Sequence, residues 1–241
     1  MNKKPTISII IFALNEEDSL KLTVEEVISA IDDKFSNYEI FIFDDGSSDK
    51  TGIIADELSF KNSNIKVIHN IKTMGIGYNY RKGVELAKND YVIWFPGDNA
   101  LSLESIERVL NNKDKADIII PYSINPDLRP LLRRIISKTF VLGLNLLFGL
   151  RLKYYNGVVL YKREVIRSIS ISTDSFAFQA EAIIKLVKKG YSYIEVGYIT
   201  KERQYGKTKI FQLKNIINVF KVIISLIWEI YIIQSKREKR N

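Results

Sequence analysis

The segment Tyr38-Glu39-Ile40-Phe41-Ile42-Phe43 runs directly into Asp44-Asp45-Gly46-Ser47-Ser48-Asp49-Lys50-Thr51. An apolar stretch of strand length thus delivers two adjacent carboxylates into a tight polar turn. A helical pattern follows at Ile53, Ile54 and Leu58. In an open α/β sheet, ligands bind outside the carboxyl ends of the strands. Paired acids at that place suit a small, oxygen-rich ligand. They suit an ordinary strand-to-helix turn as well, with Ser47, Ser48 or Asp49 as N-cap.

The flanking sequence repeats the pattern. Residues 7–13, 38–43, 65–69, 91–95 and 118–120 are apolar runs that read as buried strands. Helical spacing separates several of them: Leu20, Val24, Val27, Ile28 and Ile31 form one such set, Val84 and Ala87 part of another. Strands alternating with helices indicate βαβ units, and so an α/β fold with a mostly parallel sheet. No internal repeat and no low-complexity linker interrupts it. From about residue 129 the character changes. Residues 130–150 are a helix-length apolar stretch with basic residues at its start. Residues 154–161 and 193–199 read as strands, 176–189 as a helix ended by Gly190, and 213–233 as a long apolar helix.

With 241 residues, 46% of them apolar, the chain can bury a substantial core as one large domain or a domain plus an appendage. It has no cysteine, so disulfides and thiolate metal sites are excluded. The single histidine, His69, reads as a strand-end residue and rules out a His-rich zinc site. A metal here would take oxygen ligands, which suits Mg²⁺ or Mn²⁺. The net charge of +8 favours an anionic partner. The basic residues collect at Arg129, Arg133 and Arg134, at 203–209 and in the tail 236–240, without the aromatic interleaving of a nucleic-acid stripe. Two of these clusters flank very apolar segments, which points to an anionic membrane surface and not to nucleic acid. The N-terminus enters a strand pattern soon after Pro5, so no signal peptide is expected.

In the terminal helix, Lys214, Asn218, Lys221, Ser225 and Glu229 fall on one narrow polar stripe opposite a broad apolar face. A charge near the centre of a spanning helix costs roughly 2.5–3.5 kcal/mol. An interfacial helix fits better, peripheral or monotopic, with the basic tail on anionic lipid. The alternative is a helix buried against the domain or in a homo-oligomer interface. The 130–150 segment carries a similar stripe at Arg134, Lys138 and Asn145.

Five features carry candidate chemistry. The first strand ends in Ala13-Leu14-Asn15-Glu16-Glu17, where Asn15 and Glu16 can cap a helix or touch a ligand. The second ends at Asp44-Asp45-Gly46 and the fourth at Pro96-Gly97-Asp98-Asn99, which places two acids at neighbouring strand ends. A helix start at Phe176-Ala177-Phe178-Gln179-Ala180-Glu181 and the loop Arg203-Gln204-Tyr205-Gly206-Lys207-Thr208-Lys209 complete the set. Two acids can hold a ribose and a divalent ion that bridges a diphosphate. Arg203 and Lys209 can grip the same phosphates while Gly206 lets the loop bend over them.

These stretches together resemble a family-2 glycosyltransferase with the GT-A fold, over 7–17, 44–51, 75–98 and 176–209. They are further similar to the dolichyl/polyprenyl-phosphate mannose synthase branch. That likeness is carried by Arg133-Arg134-Ile135-Ile136-Ser137, by Tyr161-Lys162-Arg163-Glu164-Val165-Ile166 and by Arg203-x-x-Gly206-x-Thr208-Lys209. The resemblance implies an inverting, metal-dependent transfer from a nucleotide-sugar to a polyprenyl phosphate at the cytoplasmic face of a membrane. It implies nucleotide-sugar contacts from Ala13, Asn15, Glu16, Asp45, Gly97, Asp98, Arg203 and Lys209. Asp98 and Asn99 would hold the metal, and Arg133 and Ser137, four apart on one helix face, the acceptor phosphate. Asp98 and Glu181 are the implied catalytic residues, Glu181 as a general base, a sugar ligand or a helix N-terminal charge. Residues 1–210 would form the catalytic domain, with 129–150 as acceptor or interface helix and 211–241 as the membrane-associated helix and tail.

The chain departs from the pattern in places. Pro96 replaces the first acid of the Asp-x-Asp motif, Ala100 stands where a further ligand is common, and Lys153 replaces an acid ahead of Tyr154-Tyr155-Asn156-Gly157. Transfer to a sugar hydroxyl of a glycan or glycolipid would need Glu181 as base. Loss of the first acid also leaves a non-catalytic nucleotide-sugar-binding module open. On fold alone, so is a nucleotidyltransferase.

Overall fold

The computed structural model describes residues 4–126, 130–201 and 213–233. Strands β1 (Thr6–Ala13), β2 (Asn37–Asp44), β3 (Ile65–His69), β4 (Tyr91–Pro96), β5 (Ile118–Ser123), β6 (Leu160–Lys162) and β7 (Tyr193–Tyr198) form a seven-stranded sheet. Its order is β3-β2-β1-β4-β6-β5-β7. β1 runs parallel to β2 and β4, β2 to β3, and β5 to β7, while β6 is antiparallel to both neighbours. The mostly parallel α/β sheet expected from the sequence is present.

β1 reads as an unbroken apolar run because helices cover both of its faces. Ile7, Ile9, Ile10 and Ile11 are all fully buried. Helices α1 (Leu20–Ile31), α2 (Thr51–Lys61) and α4 (Leu103–Leu110) pack as one group. Helices α3 (Ile76–Leu86), α6 (Arg163–Arg167) and α7 (Phe178–Lys188) form the other. Gly83 brings α3 close onto Ile10 of β1, where a Cβ would collide with the isoleucine side chain at 2.5 Å. The end of α3 is held by Arg167, whose guanidinium donates to the carbonyls of Val84, Glu85 and Ala87 at 2.8–3.2 Å. A cation on the last carbonyls of a helix opposes its dipole favourably.

Of the expected 154–161 strand only Leu160 and Tyr161 pair in the sheet, within β6. The preceding residues are drawn into a loop instead. Tyr155 is fully buried and donates its hydroxyl to Asn145 at 2.7 Å, and Gly157 lies against the Pro121 carbonyl.

Helix α5 (Leu131–Phe148) ends at Gly149, which takes the left-handed conformation at φ 61°. Helix α8 (Leu213–Ile227) continues as a π-helical turn, Trp228–Ile233. The two meet where Tyr231 donates its hydroxyl to the Leu147 carbonyl at 2.7 Å and stacks on Phe148 at 6.3 Å. Both present apolar side chains outward. Leu131, Leu132, Ile135, Ile136, Leu142 and Leu146 are exposed on α5, and Phe220, Ile224 and Trp228 along the terminal helix. Among the described residues, no helix is long and apolar enough to cross a membrane.

The polar stripes expected on these helices are only partly solvent-facing. Asn145 turns inward, where its amide brackets Leu152 through both N–H and C=O. Glu229 pairs with Lys185 at 2.7 Å. Val222, Leu226 and Ile230 are buried, so the terminal helix carries one apolar face on the core and another outward. Packing against the domain and an outward apolar face coexist.

Gly77, in the first turn of α3, has no room for a methyl group, because a Cβ there would overlap the Thr173 carbonyl. Gly77→Ala is expected to destabilise the fold by about 1–3 kcal/mol, read as a lowered denaturant midpoint with unchanged slope.

Candidate active site

β1, β2 and β4 end at one level. Ala13 pairs with Asp44, and Phe12 with Pro96. The turns that follow continue the pairing: Asp45 N–H donates to the Ala13 carbonyl at 2.9 Å, and Gly97 N–H to the Phe12 carbonyl at 2.8 Å. β1 therefore stands between the two acid-bearing strands. Asp45 and Asp98 are not on adjacent strands, as the sequence suggested; they flank β1, two strand spacings or about 10 Å apart. The chain passes from β1 outward through β2 to β3 and then crosses back to place β4 on the other side of β1, which is the crevice geometry of a ligand site in an open sheet.

The β1 and β2 turns are laced together. Asn15 adopts positive φ, 59°, and its side-chain oxygen accepts the Ser48 N–H at 2.9 Å. Its own N–H donates to the Ser47 hydroxyl at 3.1 Å. Glu16 N–H donates to the Thr51 hydroxyl at 2.7 Å, and the Glu16 carboxylate accepts from the Ser19 hydroxyl at 2.9 Å. Asn15 and Glu16 thus order two turns at once.

Asp45 is buried, and its carboxylate accepts from the Asn70 amide at 2.8 Å, from Met74 N–H at 2.9 Å and from Gly75 N–H at 3.1 Å. It thereby ties the 70–75 loop and the N-terminus of α3 to the end of β2. Gly75 has φ 97°, a conformation that glycine takes without the cost of a Cβ. Asp44 faces the other way, with Ser47 N–H at 3.0 Å and His69 Nδ1 at 3.0 Å. His69 Nε2 lies 3.0 Å from Asp56. His69 is therefore more than a strand-end residue: it bridges two acids. Those acids, Asp44 first and Asp56 second, hold its imidazolium above the ordinary histidine value. Burial would raise the Asp44 carboxyl, but hydrogen bonds from Ser47 and His69 outweigh it and keep the group below its usual range.

The other edge of the crevice is the 97–100 turn. Thr23 of α1, a residue the sequence offered only as a helix position, clamps it. Its hydroxyl donates to the Gly97 carbonyl at 3.1 Å and accepts from Asn99 N–H at 3.0 Å. Asn99 has positive φ, 48°, and Asp98 accepts from Ala100 N–H at 3.2 Å. Among the described residues, no group of three or more His, Asp or Glu side chains could hold a metal unaided. The segment leading out of β7 runs beside this turn. Thr200 bridges Leu101, and Lys201 N–H donates to the Ala100 carbonyl at 3.1 Å. Arg203, Gly206 and Lys209 lie outside the described residues, as do Arg129 and the basic tail 236–240.

Glu181 sits 1% exposed near the start of α7. Its carboxylate accepts from Ser172 N–H and hydroxyl, both at 2.9 Å, and from Thr173 N–H at 3.1 Å, and it pairs with Lys185 at 2.9 Å. A carboxylate so occupied anchors the 172–175 loop, and it is the acid in the first turn of α7. Beneath lies an aromatic floor of Phe12, Trp94, Tyr80 and Phe178, with ring centroids 4.7–6.3 Å apart. On α5, Arg133 and Ser137 are half-buried and spaced in step with the buried Leu144 and Phe148, so they lie on the domain side of a helix that is apolar outward.

Comparison with known proteins sets these features in a family. The model for "Glycosyl transferase family 2" matches residues 8–170. The polyprenol monophosphomannose synthase of Mycolicibacterium smegmatis is 29% identical over 214 residues, covering 83% of this chain and 79% of that one. The undecaprenyl-phosphate mannosyltransferase of Micrococcus luteus is 26% identical over 212 residues, covering 83% and 85%. Among solved structures, glucosyl-3-phosphoglycerate synthase of Mycobacterium tuberculosis with Mn²⁺, UDP-glucose and phosphoglyceric acid superposes with a TM-score of 0.67 at 16% identity, over 92% of this chain and 80% of that chain. The same enzyme with Mg²⁺ and UDP gives 0.65 at 16% identity, over 93% and 79%. That likeness is one of fold.

The His69 bridge has a signed pH dependence. A histidine raised in the fold stabilises fully below its unfolded pKa, about 6.5, and loses that contribution as pH rises through the raised value. Thermal melts of wild type and His69→Gln should therefore differ most just below about pH 6.5 and converge as the pH rises above that value.

Proposed function

The chain belongs to glycosyl transferase family 2 and is a nucleotide-sugar-dependent glycosyltransferase with the GT-A fold, and from that premise we propose that it transfers a hexose to a polyprenyl phosphate at a membrane surface. The observation that carries the acceptor is on α5. Arg133 and Ser137 sit on the inner side of a helix whose outer side exposes Leu132, Ile135, Ile136 and Leu142. A phosphate held there would keep its hydrocarbon chain on the apolar side. The names of two relatives, a polyprenol monophosphomannose synthase and an undecaprenyl-phosphate mannosyltransferase, support the same acceptor class and mannose as the sugar.

The donor lies across the end of β1 in this reading. Ala13, Asn15, Glu16 and Asp45 take the nucleoside half, and Gly97 and Asp98 the diphosphate half, with Arg203 and Lys209 assigned to its phosphates. Support comes from Lys201, which brings the chain beside Ala100 immediately before that stretch. The donor set at Asp98 and Asn99 is hard oxygen and too small to hold an ion alone. Asp98 and Asn99 would hold a Mg²⁺ or Mn²⁺ only together with oxygens of the bound donor. When bound, such an ion neutralises charge on the leaving diphosphate. The solved glycosyltransferase with UDP and Mg²⁺, and with UDP-glucose and Mn²⁺, supports that class of cofactor.

An acceptor phosphate is already anionic near neutrality, with a second pKa of about 6. One of its oxygens attacks the anomeric carbon as the nucleoside diphosphate departs, which inverts that centre. Arg133 and Ser137 hold the nucleophile in line, and no side chain has to remove a proton. This agrees with a Glu181 engaged in anchoring a loop. Acceptance by a sugar hydroxyl would instead require a free base.

The outward faces of α5 and the terminal helix would dock the enzyme on anionic lipid, peripherally and from the cytoplasmic side. Full burial of one such side chain contributes about 1.5–3 kcal/mol. The double variant Ile135→Ser/Leu146→Ser should therefore lower sedimentation with phosphatidylglycerol vesicles by at least about tenfold. For the chemistry, a screen of labelled nucleotide-sugars with polyprenyl phosphate and Mn²⁺ should yield extractable lipid product. In that assay Asp98→Asn should lose about a hundredfold or more, while Glu181→Gln stays within about tenfold of wild type. Full activity of Asp98→Asn with lipid phosphate would sink the diphosphate assignment.

A further inference from the structure

Lys185 is a nearly buried lysine, 6% exposed, in the middle of α7. It donates to the Ser170 carbonyl at 2.8 Å and sits between two carboxylates, Glu181 at 2.9 Å and Glu229 at 2.7 Å. Burial pulls its ammonium down, but the two acids outweigh that and hold it above the ordinary lysine value. Glu229 belongs to the π-helical turn after α8, on the helix whose other face is outward and apolar. Glu181 in turn fixes Ser172 and Thr173. The next residue, Asp174, ion-pairs with Arg81 and accepts Gly77 N–H through its carbonyl at 3.1 Å. That carbonyl also lies beside Gly75, so close that an added Cβ would stand 2.7 Å from it, and Gly75 N–H donates to Asp45.

Contacts thus run from the terminal helix to the end of β2: Glu229, Lys185, Glu181, the 172–175 loop, the Gly75–Gly77 start of α3, Asp45. We infer that Lys185 and Glu229 are positioning residues for the nucleotide end of the site, acting through Glu181 and the 172–175 loop. Glu229 supplies the second negative charge that keeps Lys185 over Glu181. Without it, the lysine keeps Glu181 and the Ser170 carbonyl but loses one of its two acids, and its hold on the Glu181 carboxylate loosens. The 172–175 loop then relaxes against α3, and Gly75 moves relative to Asp45. The terminal helix in this view is part of the donor site's scaffold as well as an outer surface.

The inference rests on the proposal that the nucleoside binds at Asp45, so the test separates the two. Full-length wild type, Glu229→Gln and Asp45→Asn are titrated calorimetrically with UDP and with GDP, and amide exchange is followed at Ser172 and Thr173. The Glu229 side chain is 42% exposed, so the isosteric Gln is expected to fold. Glu229→Gln should weaken the nucleoside diphosphate about three- to tenfold at unchanged stoichiometry, and speed exchange at both amides. In turnover the donor KM should rise with little change in kcat. Reduced stoichiometry with an unchanged Kd would mean a purely structural role and would overturn the inference. So would unaltered exchange at Ser172 and Thr173, a reading that needs no nucleotide. If Asp45→Asn weakens binding and Glu229→Gln does not, the relay fails and the nucleotide placement stands. If Asp45→Asn binds as wild type does, the placement itself fails.

Discussion

Strand β1 is paired along its length on both flanks, to β2 and to β4, and the geometry of the crevice depends on that. A parallel strand with two parallel neighbours leaves its connections no room for hairpins, so each strand ends in a turn that leads away over the sheet. Three such turns meet at the carboxyl edge. The Asp45 and Asp98 turns sit either side of the Asn15 turn, locked to it by Asp45 N–H on Ala13 and Gly97 N–H on Phe12. The spacing between the acids is therefore a property of the backbone.

Second contacts then rigidify the edge. Thr23 reaches from α1 to hold the 97–99 turn, and Asp45 holds the start of α3. Both positive-φ asparagines, Asn15 and Asn99, sit on this edge. Non-glycine residues in that conformation carry strain that the surroundings must over-determine, and such positions gather at functional sites. The hydrogen bonds through Ser47, Ser48 and Thr23 are the local source of that constraint.

The frame was legible where periodicity is local. Residues 65–69 read as a strand and form one, because Ile65, Val67 and Ile68 make a short β-branched run that follows the turn-forming Asn62-Ser63-Asn64. The carboxyl-edge acids were legible because strand ends are fixed by the strands. What failed depended on partners distant in sequence. Residues 154–159 are apolar enough for a strand, yet Tyr155 is claimed by Asn145 and Gly157 by Pro121, and pairing starts only at Leu160. The partners of Glu181, namely Ser172, Thr173 and Lys185, were not legible from its place at the start of a helix either. His69 could not be read as a bridge without Asp56, which reaches it from α2. The terminal helix offered a choice between inside and outside because a single polar stripe cannot reveal that two apolar faces have different destinations.

The stacking of Tyr231 on Phe148, with its hydroxyl on Leu147, makes α5 and the terminal helix one plate and not two independent anchors. On a flat fluid sheet, two points fixed relative to each other set an angle as well as a depth. The crevice would then face the same way at every landing. A lipid-borne reactant would reach it by lateral diffusion in two dimensions, so the encounter rate would scale with its number per unit area and hardly at all with the volume of the surrounding solution.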